Sequence, residues 1–230
     1  MNPVIHVPHA SVWIPDEVRC QFEISSADLR DEAMQSADLH TDALARAAWP
    51  SAEIVKASVS RIVIDVERYA DDALEEMASF GRGMIYTRAH DGRDLMRDLT
   101  VEAREELKAR FYDPHWLELR SKASGRTLID LHTYPRQPWS TEPNPTADRP
   151  EIDLGATEGI TPDGWVDELG RYFENAGYQV GCNTPYVGVI DTGASAAIML
   201  EIRRDVLGSP EDAVRWDRMV RALTDMPFPC

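Results

Sequence analysis

The sequence predicts an α/β sandwich, a sheet built of parallel βαβ units with helices on both faces, on three observations. Short β-branched runs alternate with stretches of helical spacing, the pattern of βαβ units with right-handed crossovers. Two apolar runs, Leu128-Ile-Asp-Leu-His-Thr-Tyr-Pro135 and Leu200-Glu-Ile-Arg-Arg-Asp205, end at once in groups that bind metal or move a proton, and open α/β sheets bind ligands at the carboxyl ends of their strands. The 230 residues are 43% hydrophobic and 28% charged, enough apolar material for one full core. Residues 1–230 are therefore read as a single three-layer domain.

Val4-Ile-His-Val7 reads as a short buried strand that leads into the loop Pro8-His9-Ala-Ser11. Residues 25–49 carry helical spacing, broken near Ser36-Ala-Asp38, and Glu53–Ala57 and Arg61–Val66 then read as two strands, the second richer in β-branched residues. Thr100–Phe111 is a charged amphipathic helix. Asp113-Pro114 supplies an N-cap and a first-turn proline for another helix, which Gly125 should stop. Thr127–Leu131 is the next strand. Thr161-Pro162 and Ser209-Pro210 repeat the cap-plus-proline start, the latter with Asp212 placed as in a capping box. Strands near Tyr178–Cys182 and Ala196–Ile202 complete the alternation. Between them, Pro135–Pro150 holds five prolines in sixteen residues without periodicity. That is long for a plain connection, so it reads as a lid or specificity loop, with a passive surface excursion as the alternative.

Composition narrows the function. A formal net charge of −16 repels nucleic acid and anionic membrane surfaces. No apolar run approaches the ~18 residues that span a bilayer, and the first residues lack the features of a secretory signal, so a cytoplasmic location is expected. Cys20, Cys182 and Cys230 form an odd set without CxxC spacing, the pattern of reduced thiols rather than of a disulfide framework or a zinc ribbon. There is no G-x-G-x-x-G and no P-loop. A small anionic substrate remains compatible with the acidic chain, because net charge is screened beyond roughly 8 Å and one or two arginines decide the local field.

Asp130 and His132 are two apart on a strand and share a face, so the acid can orient a metal-binding imidazole or simply form a structural pair with it. His9 lies in the loop after the first strand and is better placed as a ligand than His6, which sits inside an apolar run. Asp38, His40 and Asp42 crowd a helix start, where capping by itself accounts for an acid. Two imidazoles and a carboxylate are the usual ligands of a catalytic zinc, whose bound water has a pKa of about 7. HExxH is absent, so spacing alone does not reveal such a site.

Several ordered segments carry a resemblance. His9-Ala-Ser-Val-Trp-Ile-Pro15, Ser60-Arg-Ile-Val-Ile-Asp-Val-Glu-Arg68, Gly81-Arg-Gly-Met-Ile-Tyr-Thr87, Ile129–Pro135, Arg149-Pro-Glu-Ile-Asp-Leu-Gly155, Asn183-Thr-Pro-Tyr186 and Leu200–Asp205 resemble the signature segments of the N-formylglutamate amidohydrolase family. That family is similar to the zinc carboxypeptidases, which implies a central mixed, mostly parallel sheet of about eight strands between helices. By the same resemblance, one zinc ion would be held by His9, Asp38 and His132, with Asp42 as the other candidate for the second ligand. Val12 stands where the carboxypeptidases have their glutamate ligand. Glu201 matches their catalytic glutamate, and Glu67 stands where they have asparagine.

Arg68 and Arg61 become candidates for the substrate carboxylate and the oxyanion, and Arg203 for either role. Arg61, four residues from Asp65, equally suits a structural ion pair. Tyr86, His115 and Tyr186 are candidates for the pocket wall, with His115 read as a structural residue that serves the helix start or faces water. The implied reaction is zinc-dependent hydrolysis of the formyl amide of N-formyl-L-glutamate or a close N-acyl amino acid. A metal-dependent hydrolase of another N-acyl amino acid or short peptide, and a non-catalytic carboxylate-binding protein of the same fold, are the alternatives. The sequence leaves the oligomeric state open.

Overall fold

The computed structural model describes residues 2–95, 97, 99–142 and 149–229. In chain order the regular elements are β1 (Val4–Val7), α1 (Asp16–Arg19), α2 (Ser26–Ser36), α3 (Thr41–Ala48), β2 (Glu53–Lys56), α4 (Val101–Leu107), α5 (Asp113–Ala123), β3 (Thr127–Tyr134), β4 (Ile152–Gly155), α6 (Trp165–Asn175), β5 (Val180–Cys182), β6 (Ala196–Arg203), α7 (Arg204–Leu207) and α8 (Ala213–Thr224). Six strands form one sheet in the order β2-β1-β3-β6-β4-β5. β4 runs antiparallel to β6, and the other neighbours are parallel. The sheet is mixed and mostly parallel as expected, with six described strands rather than about eight.

Strand periodicity divides the side chains of the sheet. One face presents Ile5, Val7, Ile129, Leu131, Ile198, Leu200 and Ile202 to Leu44 of α3, Leu169 and Phe173 of α6, and Met219 and Leu223 of α8. Each such aliphatic side chain, fully buried, contributes roughly 1.5–3 kcal/mol. The other face is apolar towards the amino ends, where Val4, Leu128 and Ala197 meet Leu119 and Ala123 of α5. Two residues further along the same face come His6 and Asp130, and then His132 and Glu201. The face that α5 covers is therefore apolar at one end and chemically armed at the other.

A third apolar cluster joins Ile14, Val18, Phe22, Leu29, Ile62, Val63, Ile64, Met84, Tyr86 and Leu95 beside the sheet. It explains why Arg61–Val66 is not the strand that its β-branched residues suggest. Those side chains are buried in this cluster, and the Ile62 and Val63 carbonyls accept from Arg97 Nη1 at 2.7 and 2.9 Å instead of from a neighbouring strand.

Other differences have local causes. Asp113-Pro114 does not open a new helix, because α4 runs into α5 through a π turn over Lys108–Tyr112. There the Asp113 N–H donates to the Lys108 carbonyl, five residues back. Pro114 has no N–H and would crowd the carbonyl four residues before it, which the wider turn relieves. α6 starts at Trp165 behind Gly164, whose φ of 77° is left-handed, and not at Thr161-Pro162. The Thr161 hydroxyl instead donates to the Ala197 carbonyl at 2.8 Å. α8 is capped by Asp212, which accepts from the Arg215 N–H, so the Ser209-Pro210 start is displaced. β4 has no counterpart in the predicted elements. Its four residues include an Asp and a Gly, and it is recognisable only by its place between β6 and β5. Among the described residues no helix is long and apolar enough to cross a membrane. Cys20 and Cys182 are free thiols, and Cys230 lies outside the described residues.

Candidate metal centre

Register builds the centre of the site. β1 sets His6 beside Asp130, β6 sets Glu201 beside His132, and β4 sets Asp153 beside Glu201. His9 enters from the loop after β1. Its carbonyl accepts from the Asp38 N–H at 2.9 Å, which fixes the junction between α2 and α3 against that loop. The Asp38 carboxylate consequently reaches both imidazoles, with Oδ2 at 3.5 Å from His9 Nδ1 and 3.2 Å from His132 Nδ1. All three side chains are buried. Asp42, the other candidate, pairs with Lys56 Nζ at 3.0 Å, and His40 packs edge-on against Trp216.

The opposite edges of the two imidazoles face a second set of acids. His9 Nε2 is 2.9 Å from Asp65 Oδ1, and His132 Nε2 is 3.0 Å from Asp130 Oδ1. Glu67 lies between them, 3.4 Å from His9 Nε2 and 3.3 Å from His132 Nε2. His9, Glu67 and His132 are close enough to hold a metal ion, as are His6, Glu67 and Asp130. Three atoms here, His9 Nδ1, Asp130 Oδ2 and Glu201 Oε2, are buried without a hydrogen-bond partner. Each such atom costs on the order of 1–3 kcal/mol. Unpaired nitrogen and carboxylate oxygen in an acid-rich cluster fit a bound cation.

The charges respond to one another. Burial works against ionising His132, yet Glu67, Asp130 and Asp38 outweigh it and raise its pKa well above the ordinary value. Burial likewise opposes the Asp38 carboxylate, which His132 and His9 nevertheless hold well below the usual range. Glu201 goes the other way. Burial pushes it up to about 8, against the pull of His132 and with further repulsion from Asp38 and Glu67. Burial also lifts Asp153 to about 6, opposed by backbone N–H groups of Thr184, Tyr186 and Leu154.

The arginines divide into distinct roles. Arg61 forks onto Asp65 Oδ2 through Nε and Nη2 at 3.0 and 2.7 Å. Tyr86 donates to the same oxygen at 2.8 Å. Arg68 stands 3.7 Å from Asp65, and its Nε is buried without a hydrogen-bond partner. Arg203 turns to the β4 side, where it bonds Asp205 at 2.7 Å and the Arg149 carbonyl at 2.9 Å. Tyr186 packs edge-on against Tyr134 beneath Arg149.

His115 neither faces water nor caps the helix. The inner side of α5 places its Nε2 2.8 Å from His6 Nε2, and burial, followed by repulsion from His6, lowers its pKa to about 3. His6 is in turn 2.8 Å from Asp130 through Nδ1. Two participants escape sequence reasoning. Arg204 lies 3.4 Å from Asp38 and stacks on Trp139, and Glu67 stands out in the sequence only as an acid next to Arg68. The Asp65-x-Glu67 spacing is a signal, but its residues lie in a turn, where no periodicity assigns a face.

Fold and site together define an α/β protein with a buried imidazole and carboxylate centre, able to hold a metal ion, at the carboxyl ends of its central strands. The model of the N-formylglutamate amidohydrolase family matches residues 1–207, and the chain belongs to that family. Membership implies a hydrolase. The N-formylglutamate amidohydrolase of Ralstonia eutropha shares the fold with a TM-score of 0.77 at 21% identity, over 97% of this chain and 92% of that one. A gene product of Agrobacterium tumefaciens gives a TM-score of 0.68 at 20% identity, over 96% and 90% of the two chains. No curated protein matches the chain.

Proposed function

We propose that the protein is a zinc-dependent amidohydrolase that cleaves the formyl amide of N-formyl-L-glutamate or a close N-acyl amino acid, releasing formate and the free amino acid. The observation that carries this reading is the convergence of His9, Asp38 and His132 with Glu201 in register beside His132. His9 and His132 would bind the ion through Nδ1, with Asp38 as the carboxylate ligand. Each ring offers Nε2 to a second carboxylate, Asp65 or Asp130, an arrangement that orients a metal-binding imidazole and raises its basicity. The unpartnered Nδ1 of His9 supports the same edge. Glu67 lies at the other edge of the rings, where hydrogen bonds already occupy the nitrogens.

When bound, zinc polarises the amide carbonyl and lowers the pKa of water to about 7. Glu201, in register beside His132 at the strand end, takes the water proton and returns it to the leaving nitrogen. Arg68, with an unused N–H, binds the substrate carboxylate. Arg61 holds Asp65 ionised and adds positive potential for the oxyanion. Arg203 supports the β4 side of the site through Asp205 and the Arg149 carbonyl. We assign residues 135–150 to substrate selection. Trp139 lies under Arg82 and Arg204, and Arg204 in turn reaches Asp38, while residues 143–148 lie outside the described ones.

Formate release from N-formyl-L-glutamate tests the proposal. Activity should vanish on chelation and return with zinc, and His132→Ala should lose the ion held with His9 and Asp38 together with turnover. Full activity after chelation would reject the mechanism. The acid beside Arg68 favours a second reading, in which the preferred substrate is a different N-acyl amino acid. A panel of N-acyl substrates decides this, because N-formyl-L-glutamate would then turn over far more slowly than another member.

A further inference from the structure

We propose a second divalent-cation position, held by His6 Nδ1, Glu67 and Asp130, on the edge of the His132 ring opposite Asp38. It rests on the reading of His9, Asp38 and His132 as the first position. Ligand atoms of His6, Glu67 and Asp130 lie within 4.8 Å of one another. His6 Nδ1 is 2.8 Å from Asp130 Oδ1 and 3.7 Å from Glu67 Oε1. His6 is fully buried and Asp130 is 1% exposed. The remaining oxygen, Asp130 Oδ2, is buried and has no hydrogen-bond partner. His115 completes the geometry from behind. As a neutral ring 2.8 Å from His6 Nε2, it can accept that N–H and so direct the lone pair of Nδ1 towards the acids.

Charge supplies the second argument. Asp65 has Arg61 and Arg68, and Asp38 has Arg204. The ion pairs of Glu67 and Asp130 among the described residues are with imidazoles alone, those of His6, His9 and His132. Two buried carboxylates that meet no Lys or Arg among the described residues are costly, and a dication beside them offsets that cost. One imidazole with two carboxylates suits zinc or manganese. The second ion would compensate charge behind the His132 ring rather than touch the substrate.

Metal stoichiometry tests this directly. Chelated wild-type protein is titrated with zinc by calorimetry and with manganese(II) by electron paramagnetic resonance. The expected result is about two tight equivalents in the wild type, falling to about one in His6→Gln and in Asp130→Asn, with His132→Ala also keeping about one. A single equivalent in the wild type overturns the second position, whatever the variants do, and leaves the first intact. Two equivalents unchanged in both His6→Gln and Asp130→Asn also overturn it. No tight equivalent at all removes the first position as well, so the two failures are distinguishable.

Discussion

Replacing Glu201 by glutamine should separate catalysis from stability. In the metal-free fold, burial above all holds this carboxyl at about 8 instead of the ordinary 4.5. Because the folded value is raised, the carboxyl's stabilising contribution is complete below the unfolded value and is lost as pH rises through about 8. At pH 7 the unfolded chain is ionised there and the folded chain mostly is not, a difference of at most about 3 kcal/mol against the fold. Glutamine carries no charge in either state. Chelated Glu201→Gln should therefore be more stable than chelated wild type at pH 7 by up to about 3 kcal/mol, a rise in midpoint of roughly 6–12 °C for a chain of this size. The new amide N–H₂ replaces an oxygen that has no partner, so part of that gain is offset. Below pH 4 the advantage should disappear. The metal-loaded variant should retain metal but release formate about 10²–10⁴-fold more slowly. Thermal unfolding at both pH values and a formate assay read these effects. An equal shift at pH 4 and pH 7, or a loss of stability at pH 7, would refute the electrostatic reasoning. Unchanged turnover would refute the catalytic role.

Three further outcomes follow from the same geometry. Asp38→Asn should weaken the first metal equivalent at least about 100-fold and Glu67→Gln should not, because only Asp38 meets the Nδ1 edges; a reversed order in a competition assay with a chromophoric chelator would move the ion to the other edge. Arg68→Ala should raise KM with little change in kcat, as for a contact made equally in the bound and transition states, whereas Arg203→Ala should affect thermal stability more than KM. Asp153→Asn should stabilise the protein at pH 8 by up to about 3 kcal/mol and have no such effect at pH 3, since the cost of the raised folded value accumulates from the ordinary 3.8 and is complete above about 6; equal midpoints for variant and wild type at pH 8 would count against buried charge at that position.

Local pattern made much of the sheet legible. β1, β3 and β6 are apolar runs whose period-two spacing already places Asp130 with His132 and Glu201 with Arg203, and backbone geometry keeps those relations whatever surrounds them. Helix breaks and glycine stops were legible for the same reason, since they depend on a few neighbouring residues, as at Ser36–Asp38 and Gly125. Arg61–Val66 shows where this fails. β-branched residues are equally suited to a strand and to an irregular buried turn, and partners from distant segments, Arg97 on the Ile62 and Val63 carbonyls and the Met84 carbonyl on the Asp65 N–H, supply hydrogen bonds that hold the turn.

What the sequence by itself determined is the chemistry at the strand ends, because a residue's place on a strand follows from its neighbours. The pairing of Asp38 with the His9 and His132 imidazoles, the inward turn of His115 towards His6, and the gathering of Glu67 and Asp130 around those rings were decided by the tertiary structure. These contacts join segments far apart in the chain. Their distances depend on how helices and turns pack over the sheet, and no local periodicity encodes that packing.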